Sequence, residues 1–232
     1  MRYSRTRIGF GWALTPVMIY TVSFYLIFSN SGIFERNNSF LFIYFGLTVW
    51  NLLSSFVLEG INVFNNNRSF ILNSNTPIAF YALRQVSRNV INFLIVIIPG
   101  ILVAIVQGNF SWTILTFFPF YLSLICFLGF SLICVFGVCG TLYPDLAQLV
   151  SPAVQVMFIV TPVFWSKSIL EHREFLFQLN PFYWAVEVLR LPLLGQFPSL
   201  LNVAVIISLG VISFILLRLL KEKVEFEIPL NV

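Results

Sequence analysis

The chain has 232 residues, 59% of them hydrophobic and 9% charged, with a mean hydropathy of +0.92 and a formal net charge of +4. Soluble domains carry roughly 25% charged residues, so this composition excludes a water-soluble globular protein and points to an integral membrane protein. The apolar stretches are continuous rather than alternating, which favours an all-α bundle over a β-barrel.

In chain order the apolar runs predict six transmembrane helices, at about 12–29, 40–58, 90–106, 112–139, 146–165 and 199–217. More spans follow the first, and no small-residue cleavage pattern accompanies it, so it does not read as a removable signal peptide. No polar extension is long enough to fold separately, and residues 1–232 read as one membrane domain. Nine of the thirteen basic residues fall before the first span, between the second and third, or after the last; the other four are Arg36, Lys167, Arg173 and Arg190. Positive charge stays cytoplasmic, which predicts both termini inside. The basic balance is thus a topological signal, and no nucleic-acid patch is evident.

Residues 62–77 form the longest polar stretch between spans and are predicted to be cytoplasmic. Within it Phe70-Ile71-Leu72 is an apolar triplet, costly to leave in water. It either docks on a partner or lies on the membrane surface. Pro77 then opens a helix that runs into the third span. On that helix Tyr81, Arg84, Gln85, Arg88, Asn89 and Asn92 make a polar stripe, which Ile78, Phe80, Leu83, Val86 and Ile91 avoid. A polar stripe at membrane depth faces a cavity or another protein surface. Arg84 and Arg88, at i,i+4, are spaced to share one phosphate group or to anchor on anionic lipid heads.

Cys126, Cys134 and Cys139 lie in or near the fourth span without a Cys-x-x-Cys pair. With a single histidine, His172, no metal constellation is formed. Tyr143-Pro144-Asp145 reads as a tight turn, with Asp145 at a helix start favoured by the helix dipole. Pro152 and Pro162 fall within the fifth predicted span, where a proline kinks a helix. A charged break from Lys167 to Glu174 follows. The next apolar run, Asn180 to Gly195, is too short and too charged to cross a bilayer. It carries Glu187 and Arg190 at i,i+3. The pair either holds an outer gate on a re-entrant helix or sits at the interface with both heads in water. Trp165, Tyr183 and Trp184, with Phe164 and Phe182, form an interfacial aromatic belt or offer flat faces to sugar rings.

Taken in order, these residues resemble the permease subunit of type-2 ABC exporters, in particular the polysaccharide and O-antigen exporting group. Arg7-Ile8-Gly9-Phe10-Gly11-Trp12 with Pro16 carries the resemblance at the start, and Phe70-Ile71 with Pro77 carries it in the middle. Near the end it rests on Asp145-Leu146, Gln155, Thr161-Pro162-Val163, Trp165, Asn180-Pro181, Arg190 and Leu194-Gly195. It implies a homodimer of multi-pass subunits in the bacterial inner membrane, with a separate ATPase subunit on the cytoplasmic side that carries the ATP and magnesium. This chain would bind no cofactor of its own. It has no Gly-x-x-x-x-Gly-Lys-Ser/Thr loop to cradle phosphates.

The resemblance also implies that the segment around Asn65 to Asn73 is a coupling helix, with Asn67, Arg68, Phe70, Ile71, Leu72 and Asn73 meeting the ATPase. Residues 166–195 become a re-entrant gate pair between the fifth span and the last. Tyr81, Arg84 and Arg88 become contacts for the cargo's phosphates. The expected cargo is a lipid-linked glycan; a teichoic acid, a capsule polymer or a drug-like lipid is the alternative within the family, and an intramembrane transferase is the alternative outside it. The chain departs from the family pattern at Pro144, where a basic residue is common, and at Leu72 and Asn73, where a Lys or Arg often follows. Only Met1 to Thr6 precedes the match, where the family usually has a longer amphipathic head.

Overall fold

The computed structural model describes residues 11–28, 39–73, 76–109, 112–165 and 175–219. The Arg7–Phe10 part of the first motif, Ser74 and Asn75, the charged break with His172, and the C-terminal basic residues lie outside them. Every regular element among the described residues is helical. Five helices are long and apolar enough to cross a membrane: α1 (Gly11–Phe28), α2 (Ser39–Leu58), α4 (Ile78–Val106), α5 (Trp112–Leu142) and α9 (Leu200–Leu219). Shorter helices are α3 (Arg68–Asn73), α6 (Leu146–Val160), α7 (Phe175–Gln178) and α8 (Pro181–Leu193).

Helix α2 is the centre of the bundle. It packs against α1, α4, α5, α6 and α8. It is apolar around most of its circumference, the pattern of a helix largely enclosed by others, and Ile43, Phe45, Val49 and Phe56 are fully buried. Helices α1 and α9 instead bury narrow stripes, Val17 and Thr21 in one and Asn202, Ile206 and Gly210 in the other. Their remaining apolar faces are turned outward.

Prolines set three element boundaries on the way to the site. Pro77 and Pro181 stand at helix starts, where the missing N–H costs nothing. The fifth expected span, 146–165, is cut short by the same chemistry. Thr161 precedes Pro162, whose ring drives the residue before it out of the helical region. Thr161 is extended at φ −78° and ψ 132°, and α6 ends at Val160 after 15 residues. That is about 22 Å of helix, against a hydrocarbon core of about 30 Å. Pro162 therefore lies past the helix end and does not kink it.

After α2 the chain makes an elbow of two 3-10 turns, Gly60–Asn62 and Asn65–Asn67, which leads into α3. The elbow buries Ile61, Val63 and Phe64. Glycines on α5 make room for it: a Cβ at Gly137 would press on Val63 and Phe64, and one at Gly140 would strike the Ile61 carbonyl oxygen. This glycine-lined approach brings backbones close, as is common between membrane helices.

Candidate functional site

One cluster of functional side chains forms where α6 breaks. From Thr161 to Val163 the backbone is non-helical, yet Thr161, Pro162 and Val163 are buried. The Val163 carbonyl lies against Gly46, where any Cβ would collide with it. Gly46 is seven residues into α2, about 10 Å from the start of that helix. Non-helical backbone at such depth persists only where protein satisfies its polar groups.

Arg190 on α8 does so, donating from Nη1 to the Pro162 carbonyl at 2.8 Å and to the Val163 carbonyl at 3.3 Å. Its Nη2 pairs with Glu187, and its guanidinium sits 4.0 Å over the Phe42 ring. Asn180 completes the arrangement. Its Nδ2 donates to Thr161 Oγ1 at 2.7 Å, and its Oδ1 accepts from the Phe182 N–H at 2.9 Å, capping α8. Both members of the Glu187–Arg190 pair are about 98–99% buried, so neither head sits in water.

Trp165 and Tyr183 are buried and pack with Phe177, with Trp184 alongside. Trp165 Nε1 donates to the Ile159 carbonyl and Trp184 Nε1 to that of Gln178. These rings are stacked edge to face on one another rather than spread as a belt of outward faces.

A second cluster forms at the other end of α2. The expected polar stripe on α4 divides in two. Tyr81, Gln85 and Asn89, one turn apart, are buried, while Arg84 and Arg88 are exposed. Glu59 accepts from Gln85 and, at 2.8 Å, from Arg88 Nη2. Gln85 also donates to Asn89 Oδ1 at 3.0 Å. Arg88 is thus engaged by a carboxylate, and Arg84 has no acidic partner among the described residues. The sequence reading passed over Glu59. The signal was there: it is the only acid between Glu35 and Asp145, on a stretch that carries Arg68, Arg84 and Arg88.

The expected coupling residues sit together on the elbow. Asn67 donates to the Val63 carbonyl at 2.7 Å, and Asn73 to that of Ser69. Phe70 is 61% exposed and Leu72 52%, on a helix that follows the elbow packed against α5. Arg68 is exposed and Ile71 partly buried. Asp145 stands at the α6 N-cap position but makes no side-chain cap bond, so its favourable interaction is with the helix dipole alone. Among the described residues no three His, Cys, Asp or Glu side chains gather where a metal ion would be held.

The described residues thus form a bundle of membrane-length apolar helices with a buried polar helix break and an elbow that exposes Phe70 and Leu72. Residues 1–194 match the ABC-2 type transporter family, and the chain belongs to it. Two O-antigen export system permease proteins RfbA from Klebsiella pneumoniae are similar to it. They are 23% and 21% identical over 185 residues, covering 78% of this chain and 71% of each relative.

Proposed function

We propose that this chain is the permease subunit of an ATP-driven exporter that moves a lipid-linked polysaccharide out across the cytoplasmic membrane, with a separate ATPase bound at α3. The cargo follows from the two O-antigen export relatives. The observation that carries the mechanism is α3 itself. A six-residue helix that presents Phe70 and Leu72 to water costs free energy unless a partner covers them. The elbow that carries it packs on α5, so a push on α3 would be passed to the bundle. Nucleotide-driven closure of the partner would push α3 and, through the elbow, shift α2 and α5.

Six crossings remain the preferred topology, with both termini cytoplasmic. α6 and the buried segment to Trp165 would together make the fifth. Residues 166–195 would make the re-entrant element: α8 starts beside Trp50, since the Phe182 and Trp50 rings are 5.3 Å apart, and ends at Leu193. The gate role of Glu187 and Arg190 is then to hold the α6 break shut from within. Two copies of the subunit would enclose the path, and Arg84 at the inner mouth would meet the carrier's phosphate.

Photo-crosslinking from positions 70 and 71 in the intact complex tests the reading. The ATPase subunit is expected in the adduct. Phe70→Asp with Leu72→Asp should leave the permease folded while abolishing export of the glycan and the ATPase association. Export that persists with the double variant would refute the coupling role.

A further inference from the structure

Five residues on α2 and just past its end, Asn51, Ser54, Ser55, Leu58 and Glu59, line an open cleft of about 290 Å³. Asn51, Ser54 and Ser55 are polar residues of an otherwise mostly apolar helix and Glu59 follows its end; the four fall at i, i+3, i+4 and i+8, on one side. We propose that this cleft is a binding site for an uncharged polyhydroxylated group, a single sugar ring in size.

The hydrogen-bonding inventory points there. Ser54 donates its hydroxyl proton to the Asn51 carbonyl at 3.2 Å, and Ser55 donates to the Leu52 carbonyl at 2.6 Å. Both hydroxyls thus spend their donor on their own helix and keep oxygen lone pairs for the cleft. Glu59 receives Gln85 and Arg88 on Oε2, leaving Oε1 open. The Asn51 amide makes no side-chain hydrogen bond to the described residues. The cleft is therefore rich in acceptors, with an amide able to donate at its rim.

Its charge is balanced, because Arg88 neutralises Glu59. A phosphate brought to Oε1 would meet a carboxylate, and a cation would find the guanidinium beside it. A group offering several O–H donors and no charge satisfies the lone pairs without either penalty. Leu58 supplies an apolar edge for the C–H face of a ring. The volume sits at the small end of the ~300–1,000 Å³ range of ligand clefts, which suits one ring rather than a chain. That the sugar belongs to exported cargo rests on the function proposed above; the chemistry of the cleft does not.

The test uses the permease–ATPase complex in lipid nanodiscs and three radiolabelled probes: a short prenyl diphosphate bearing one hexose, the same lipid without the hexose, and phosphatidylinositol. Asn51→Leu and Ser55→Ala lie outside the Glu59–Arg88 pair, and Asn51 is exposed, so its replacement leaves no cavity. Each variant is expected to weaken the hexose-bearing probe about five- to tenfold, the worth of one or two hydrogen bonds, with the bare diphosphate unchanged. If phosphatidylinositol alone binds and shows that shift, the cleft is a polyol site and the glycan-cargo reading fails. If neither hydroxylated probe shows a variant-dependent shift, or the bare diphosphate shifts equally, the proposal is overturned.

Discussion

Arg190 holds the α6 break together from one guanidinium: a buried carboxylate, two backbone carbonyls and an aromatic face. Removing one partner of a buried ion pair costs about 3–5 kcal/mol, because the other charge is stranded. Arg190→Met is therefore expected to lower the melting temperature of the detergent-solubilised protein sharply. Adding Glu187→Leu removes the stranded carboxylate and should restore part of the loss. It should not restore all of it, since the Pro162 and Val163 carbonyls still lack donors, at about 1–3 kcal/mol. The expected order of stability is wild type, double variant, single variant; a single variant as stable as wild type would contradict the buried pair. Gly46→Val belongs to the same site. Its side chain collides with the Val163 carbonyl, and the clash is expected to cost about 1–3 kcal/mol. The sequence made the i,i+3 spacing of Glu187 and Arg190 and the Asn180-Pro181 helix start legible, because both are local. It did not reveal that Arg190 caps carbonyls 27 and 28 residues away, a contact that exists only after α2, α6 and α8 have packed.

At the scale of elements, Glu59 and Arg88 join the two sides of the coupling segment. Glu59 follows α2 directly, and Arg88 lies on α4 beyond α3. The Arg88 side chain is 59% exposed, so the pair adds about 1 kcal/mol or less to stability. On the mechanism proposed above its value would be mechanical: it would tie the end of α2 to the start of α4 when α3 is pushed. Arg88→Glu should leave the melting temperature nearly unchanged and permit ATP hydrolysis, yet depress export several-fold. Glu59→Arg combined with Arg88→Glu should recover much of that export; failure of the swap to recover any would leave the pair without a coupling role. Periodicity exposed the α4 stripe, since polar residues repeated at helical spacing. It did not show that the stripe splits into buried Tyr81, Gln85 and Asn89 and exposed Arg84 and Arg88, because 3.6-residue spacing cannot fix how far a neighbouring helix overlaps each edge. Likewise the run from Leu146 to Trp165 is apolar enough to read as one span. Its break comes from the backbone restriction that Pro162 places on Thr161, which hydropathy does not register.

For the whole molecule, contacts between distant turns show which turns share an end of the bundle. A Cβ at Gly195 would stand 3.5 Å from the Asn109 carbonyl oxygen, so the α4–α5 and α8–α9 turns share one end of the bundle. At the other end the Asn65 amide reaches the Gly140 carbonyl at 3.5 Å, which places the elbow beside the α5–α6 turn. On the proposed topology α6 with the buried segment to Trp165 would return the chain across the membrane, which would put residues 109 and 195 on the same face. Single cysteines at Gly108, Gln196, Arg68 and Asp145, introduced after replacing the three native cysteines, test this with a membrane-impermeant thiol reagent on intact cells. Gly108→Cys and Gln196→Cys should label together from outside, and Arg68→Cys and Asp145→Cys only after permeabilisation, given the basic residues at Arg68, Arg84 and Arg88 on the predicted inner side. Labelling of Gly108→Cys from one face and Gln196→Cys from the other would break the bundle described here. Joint labelling of Arg68→Cys and Asp145→Cys from outside would keep the bundle but invert it, and with it the side on which an ATPase can meet Phe70 and Leu72.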